Sequence, residues 1–388
     1  MKGLCLKNHD KPMKKLLIIA IAMLLAIPMQ GAETLPPRHE ILKTLIKVND
    51  HYLDKHPDPL LSIPYYSRER VYEANIWTRA VYFEGLMALY SIYPANRYYD
   101  YAYRWGEGFK WGMRRDRTTT RNADNYCCGQ TYADLYRLTP EPKMLTKTKA
   151  CMNMLVNTPQ VDDWTWIDAI QMGMPLLAKM SAITGDQRYN DKAWEMYSWT
   201  RNTLAGGLFN EKEGLWWRDK DFVPPYKEPN GKNCYWSRGN GWVVAALVRV
   251  LDEIAPDDPH RSAYIADLEA MCDAAVKCQR PDGFWNVSLH DEGNYGGKEL
   301  TGTALFVYGM AWGINNGILD RVRYLPVVTK AWNAMVNDAV HPDGFLGYVQ
   351  GTGKEPKDGQ PVTYDSEPDF DDYGTGCFLL AGSEVYKL

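Results

Sequence analysis

Apolar residues recur at spacings of three and four along most of the chain, and six times a glycine opens such a face. The segments are "GLMALYSIY" at Gly85, "GQTYADLYRL" at Gly129, "GMPLLAKMSAI" at Gly173, "GWVVAALVRVL" at Gly241, "GTALFVYGMAW" at Gly302 and "GCFLLAGSEVY" at Gly376. Each predicts one helix. In the intervals a polar turn leads into a second, amphipathic pattern, as in "GDQRYNDKAWEMYSW" and "DRVRYLPVVTKAWNAMV", so the repeating unit is a helix hairpin. Pro281 to Pro342 and Gly241 to Gly302 keep the same interval, which supports the repeat. Short stretches such as "GLWWRDK", "DGFWNVS" and "DGFLGYV" place alternating aromatic residues behind Asp-Gly or Glu-Gly turns and predict small β-hairpins in the connections.

Six inner helices with amphipathic partners outside them imply an all-α toroid, a six-hairpin (α/α)6 barrel. An open solenoid is the alternative. Closure is favoured because the last inner helix has no partner after it, and the N-terminal pattern "RHEILKTLIKVNDHYL" can supply that twelfth element.

Residues 13–32, "MKKLLIIAIAMLLAIPMQGA", have a basic start, a short apolar run and small residues at the end. They read as a secretory signal, with residues 1–32 removed and residues 33–388 forming one domain in a periplasmic or secreted protein. The run is too short to span a bilayer comfortably, and no later stretch has membrane length. Residues 1–32 carry five lysines against one aspartate, so the remainder is more acidic than the −4 of the whole chain. With no basic cluster, nucleic acid is excluded as a partner, and an anionic ligand must be met by a few local arginines. Seven cysteines remain after residue 32, without metal-ligand spacing, so neither a disulfide framework nor a metal is expected, and the adjacent Cys127 and Cys128 read as small buried residues. The 14 Trp and 26 Tyr, against 9 Phe, offer flat faces with polar edges suited to sugar rings, although large helical cores use them too.

If the inner helices run the same way, the residues before each glycine gather at one mouth of the ring. Five positions back stand Asp124, Asp168, Trp236 and Asp371, and three back stand Arg238 and Glu299. An aspartate at a helix head is commonly a cap, and Asp371 and Asp372 are read so. Asp168 lies between Trp166, Ile167 and Ala169, a setting that raises a carboxyl pKa and favours proton donation over capping. Asp124 occupies the equivalent place one unit earlier, making the two a candidate catalytic pair. In "CYWSRGNGWVVAALV", Trp236, Arg238 and Trp242 crowd a helix head and could seat an acidic sugar by stacking and a bidentate ion pair. A tight turn with wall tryptophans is the alternative there.

Together, "WIDAIQMGMPLLAKM", "WSRGNGW", "TGTALFVYGMAWGINNG" and "DYGTGCFLLAGSEV" resemble glycoside hydrolase family 105, the unsaturated rhamnogalacturonyl and related unsaturated uronyl hydrolases. The resemblance implies the (α/α)6 barrel and removal of a terminal 4,5-unsaturated uronic acid from lyase-generated oligosaccharides, without metal or other cofactor. It implies that Asp168 protonates C4 of the vinyl ether, that Asp124 holds ring hydroxyls and helps orient the water adding at C5, and that Trp236, Arg238 and Trp242 contact substrate. Trp77 and Arg79 follow from the repeat. Where many members carry a histidine-containing stretch, this chain has "GLWWRDKDFVPPY" with Arg218 and Asp219; Arg218 joins the candidate substrate contacts there, and the departure leaves galacturonyl and glucuronyl substrates equally open. The rival readings are a conventional inverting glycosidase on the same toroid and a non-catalytic oligosaccharide-binding protein.

Overall fold

A computed structural model describes residues 1–3, 33–65, 70–116 and 118–388; the signal segment therefore lies almost wholly outside the described residues. Contacts divide the chain into Met1–Thr34 and Leu35–Leu388. The described residues of the first unit contain no helix or strand, and all that follows concerns the second.

Among the described residues are twelve helices longer than a single turn. The inner ones are α2 (Trp77–Ile92), α4 (Gly129–Leu138, preceded by the helical turn Ala123–Tyr126), α6 (Asp168–Thr184), α8 (Ser237–Leu251), α10 (Leu300–Asn315) and α12 (Asp372–Val385). The outer ones are α1 (Arg38–Lys55), α3 (Asn96–Gly108), α5 (Lys143–Val156), α7 (Arg188–Asn202), α9 (Arg261–Cys278) and α11 (Arg321–Asp338). Burial separates the two sets. Every residue of α8 and α12 is buried, whereas α9 hides only a stripe that includes Tyr264, Leu268, Met271 and Ala275. That is the difference between a helix packed on all sides and one with a solvent face. The hairpins pair Ile63–Tyr65 (β1) with Arg70–Tyr72 (β2), and Phe209–Asn210 (β3) with Leu215–Trp216 (β4).

The ring closes. Each inner helix packs on the next, α12 packs on α2, and the N-terminal α1 covers α12 as its outer partner. Gly85 and Gly376 meet at this seam: a Cβ on Gly85 would lie 2.4 Å from the Gly376 carbonyl oxygen, and one on Gly376 would lie 2.3 Å from that of Val81. Only glycine allows the two backbones so close. The seam also takes the acids read as caps. Asp371 makes no cap hydrogen bond; its carboxylate meets His56 and Lys55 of the α1 end, each at 3.0 Å. Asp372 pairs with buried Arg79 at 3.1 Å. Glu299 is a true cap, accepting from Thr301 N–H at 2.8 Å and Gly302 N–H at 2.7 Å.

Within α6, Pro175 cannot donate to the Gln171 carbonyl one turn earlier. Gln130 of α4 fills that place with its side-chain amide, 2.9 Å from the Gln171 oxygen. Two neighbouring inner helices are thus tied together just below their heads.

Candidate active site

The heads of the inner helices surround a cleft of about 300 Å³, lined among others by Trp77, Asp124, Asp168 and Met172, while their tails border a separate cavity containing Arg137, Lys179, Arg249 and Glu384. The inner helices therefore run in parallel. Asp168 is the first residue inside α6, and Ile167 holds the cap position without a side-chain bond. The next loop is stitched to this head, with Ile167 N–H donating to the Arg218 carbonyl at 3.0 Å and Trp166 bridging Asp219. That pairing delivers the Arg218 guanidinium to Asp168, with Nε 3.2 Å from Oδ2, while Nη1 donates to Asp219 at 2.7 Å. Asp168 keeps 13% of its side-chain surface exposed, enough to meet a ligand in the cleft.

Asp124 lies in the turn before α4, which packs on α6. Burial raises its carboxyl pKa to about 7, with the nearby Asp168 adding to the shift and Arg218 and Arg114 opposing it. Burial also raises Asp168, while Arg218 and Arg238 pull it down. Burial is the larger cause at both carboxyls, and each is thereby shifted toward keeping its proton. Beneath them, Gln171 and Cys127 each follow their aspartate by three residues. Both donate to the buried Glu84, at 2.8 and 3.5 Å, and Arg249 approaches it at 3.7 Å. One carboxylate at the barrel axis thus fixes the two helical turns that carry the pair.

The remaining residues anticipated for the site divide by position. Trp77 and Arg218 line the cleft. Trp242 is fully buried behind Trp77, edge-on to it at 6.3 Å. Arg79 is buried in the ring seam on Asp372. Arg238 is 1% exposed, its guanidinium donating to the Gln350 and Gly351 carbonyls at 2.7 and 2.8 Å between the rings of Trp236 and Tyr373. Trp236 donates its indole N–H to Gln350 Oε1 at 2.9 Å. A buried guanidinium beside indoles does require a partner, and here main-chain carbonyls take both Nη groups while Nε stays without an acceptor. Trp236 and Arg238 anchor the loop whose Thr352 and Gly353 form a cleft wall. Sequence reasoning missed Arg114, Tyr72 and Phe370, all on the cleft. The available signal was the Arg114–Arg115 pair in an acidic chain, in the loop leading to the second inner helix.

The sequence model of Glycosyl Hydrolase Family 88 matches residues 47–388. The chain belongs to that family. Families 88 and 105 form one superfamily, so the motif likeness to family 105 expresses the same relationship. This family-88 chain is 39% identical over 230 residues to a protein named unsaturated 3S-rhamnoglycuronyl hydrolase from Formosa agariphila, a match spanning 58% of each chain. It is 30% identical over 349 residues to a protein of the same name from an Alteromonas species, covering 83% of this chain and 80% of that one. A family-88 glycosyl hydrolase structure from Bacteroides vulgatus superposes with a TM-score of 0.82 at 33% identity, covering 90% of this chain and 99% of the other. The family-88 cleft thus presents two carboxyls with raised pKa, an arginine on one of them and an aromatic floor. This equipment suits acid–base chemistry on a sugar.

Proposed function

We propose that this enzyme removes a terminal 4,5-unsaturated uronic acid from oligosaccharides left by polysaccharide lyases, and that a glucuronyl group linked to rhamnose is the first substrate to test. The names of its two rhamnoglycuronyl relatives support that substrate class. The observation that carries the reading is the carboxyl pair, with Asp124 raised to about 7 and Asp168 raised beside Arg218. Asp168 donates a proton to C4 of the vinyl ether, and Arg218 stabilises the carboxylate left behind. Asp124, poised near neutrality, orients a water and takes its proton as the oxygen adds to C5. The product is a hemiketal at C5. Its opening and collapse release the next sugar with a free hydroxyl, and the proton on Asp124 returns through water to Asp168. Trp77 offers a face for the ring, while Trp236, Arg238 and Trp242 shape the cleft from behind.

Loss of the vinyl-ether ultraviolet absorbance during turnover of lyase-digested glycans is the test. A conventional glycosidase would leave the chromophore intact, and survival of every unsaturated oligosaccharide would refute the reading. The basic-apolar pattern of residues 13–32 supports export through a cleaved signal; N-terminal sequencing of protein from the periplasm and medium checks it.

A further inference from the structure

The cleft is bordered by two arginines in opposite situations. Arg218 is occupied by Asp168 and Asp219. Arg114 forms no ion pair among the described residues: its Nη1 makes one long contact, 3.4 Å to Asn125 Oδ1, and its buried Nε has no hydrogen-bond partner. A guanidinium has five N–H donors in a fixed fork, and leaving a buried one without an acceptor is costly unless a ligand supplies it. The side chain is also held in place. Its Cζ lies 5.1 Å from the centre of the Tyr72 ring, a cation–π contact that limits the guanidinium plane. The next residue, Arg115, adopts φ 63°, ψ 29°, a left-handed conformation unfavourable for a side chain of this size, and its N–H is pinned to Glu73 Oε2 at 2.8 Å. The Glu73 hydrogen bond fixes the backbone next to Arg114 at the cleft edge.

We propose that Arg114 seats an oxyanion of the bound oligosaccharide, either the carboxylate of the unsaturated uronate or a sulfate ester on the sugar beside it. The assignment rests on the reading of the cleft as an unsaturated uronyl site. Arg114 and Asp124 border the same cleft, so an oxyanion held there sets the sugar against the carboxyl pair. Electrostatics agree: burial and Arg115 lower the Arg114 pKa, whereas at Arg218 the lowering by burial is outweighed by Asp168 and Asp219. Arg114 is the less compensated cation of the two.

The test uses the full chain carrying Asp168→Asn, so that ligands bind without turnover, alone and combined with Arg114→Met or Arg114→Lys. Three probes are titrated calorimetrically: the unsaturated glucuronyl–rhamnose disaccharide, its rhamnose-sulfated form and its uronate methyl ester. Arg114→Met is expected to weaken an acidic probe by about ten- to a hundredfold, the range of a charge-assisted pair, with partial recovery in Arg114→Lys and an unchanged melting temperature. Loss with both acidic probes but not the ester identifies the carboxylate as the ligand. Loss confined to the sulfated probe identifies the sulfate. Equal affinities for every probe with and without Arg114 overturn the assignment and leave the proposed function standing. If the parent binds no probe and the wild-type enzyme leaves the chromophore intact, both fall.

Discussion

Two partly buried carboxyl groups at opposite ends of the same barrel are shifted in opposite directions. At the tail end, burial would raise Glu253, but Arg137 and Lys179 hold it at about 2, with Arg137 Nη1 at 2.8 Å and Lys179 Nζ at 3.2 Å. Lys179 also pairs with Asp134, and Glu384 with Lys387 and Asn315. At the head end, Asp124 has no ion pair among the described residues and rises to about 7. Both ends are cavities with charged walls. Between Glu253 and Asp124 the difference is pairing: a charge satisfied by protein partners is held in one state, whereas an under-compensated carboxyl exchanges its proton more readily.

The sharpest test of that contrast is Asp168→Asn, which should lower kcat by about 10³-fold while leaving substrate affinity nearly unchanged, measured as the rate of absorbance loss. At the tail end, Lys179→Met should do the converse. It strands Asp134 and removes one cation from Glu253, and should cost about 3 kcal/mol in denaturant unfolding with kcat retained. A large fall in kcat there would show that the two ends are coupled. Gly376→Ala probes the seam supporting both, and a methyl driven against the Val81 carbonyl should destabilise by about 2 kcal/mol.

The smallest effect concerns pH. The raised pKa of Asp124 favours the folded state fully below its ordinary carboxyl range and loses that contribution as pH rises through about 7. Glu253 does the reverse, stabilising above its ordinary range and losing the contribution as pH falls toward 2. Asp124→Asn should therefore raise the melting temperature by a few degrees relative to wild type at pH 8, with no such gain at pH 4. An unchanged difference between the two pH values would show that Asp124 is not the under-compensated group.

The glycine-led helices, their outer partners and the closing role of α1 were legible because helical periodicity and turn residues are local signals. Asp124 and Asp168 were legible because one repeat offset placed both at helix heads. Arg238 illustrates the boundary. Its neighbours correctly indicated a buried cation needing an acceptor, but the acceptors are carbonyls of residues 350 and 351, more than a hundred positions away. Arg114 has no repeat partner to mark it; its loop runs directly into the Asp124 turn, and only the fold shows that this loop faces the cleft.

The sequence by itself indicated the helix hairpins and put Asp124 and Asp168 at equivalent helix heads, since those follow from short-range patterns repeated along the chain. Tertiary structure alone decided which charges are satisfied and which face the cleft, because pairing depends on distances of a few ångströms between loops far apart in the chain. The carboxyls and arginines of the two ends are chemically alike, and the counter-charges packed against them are what hold Glu253 low and leave Asp124 high.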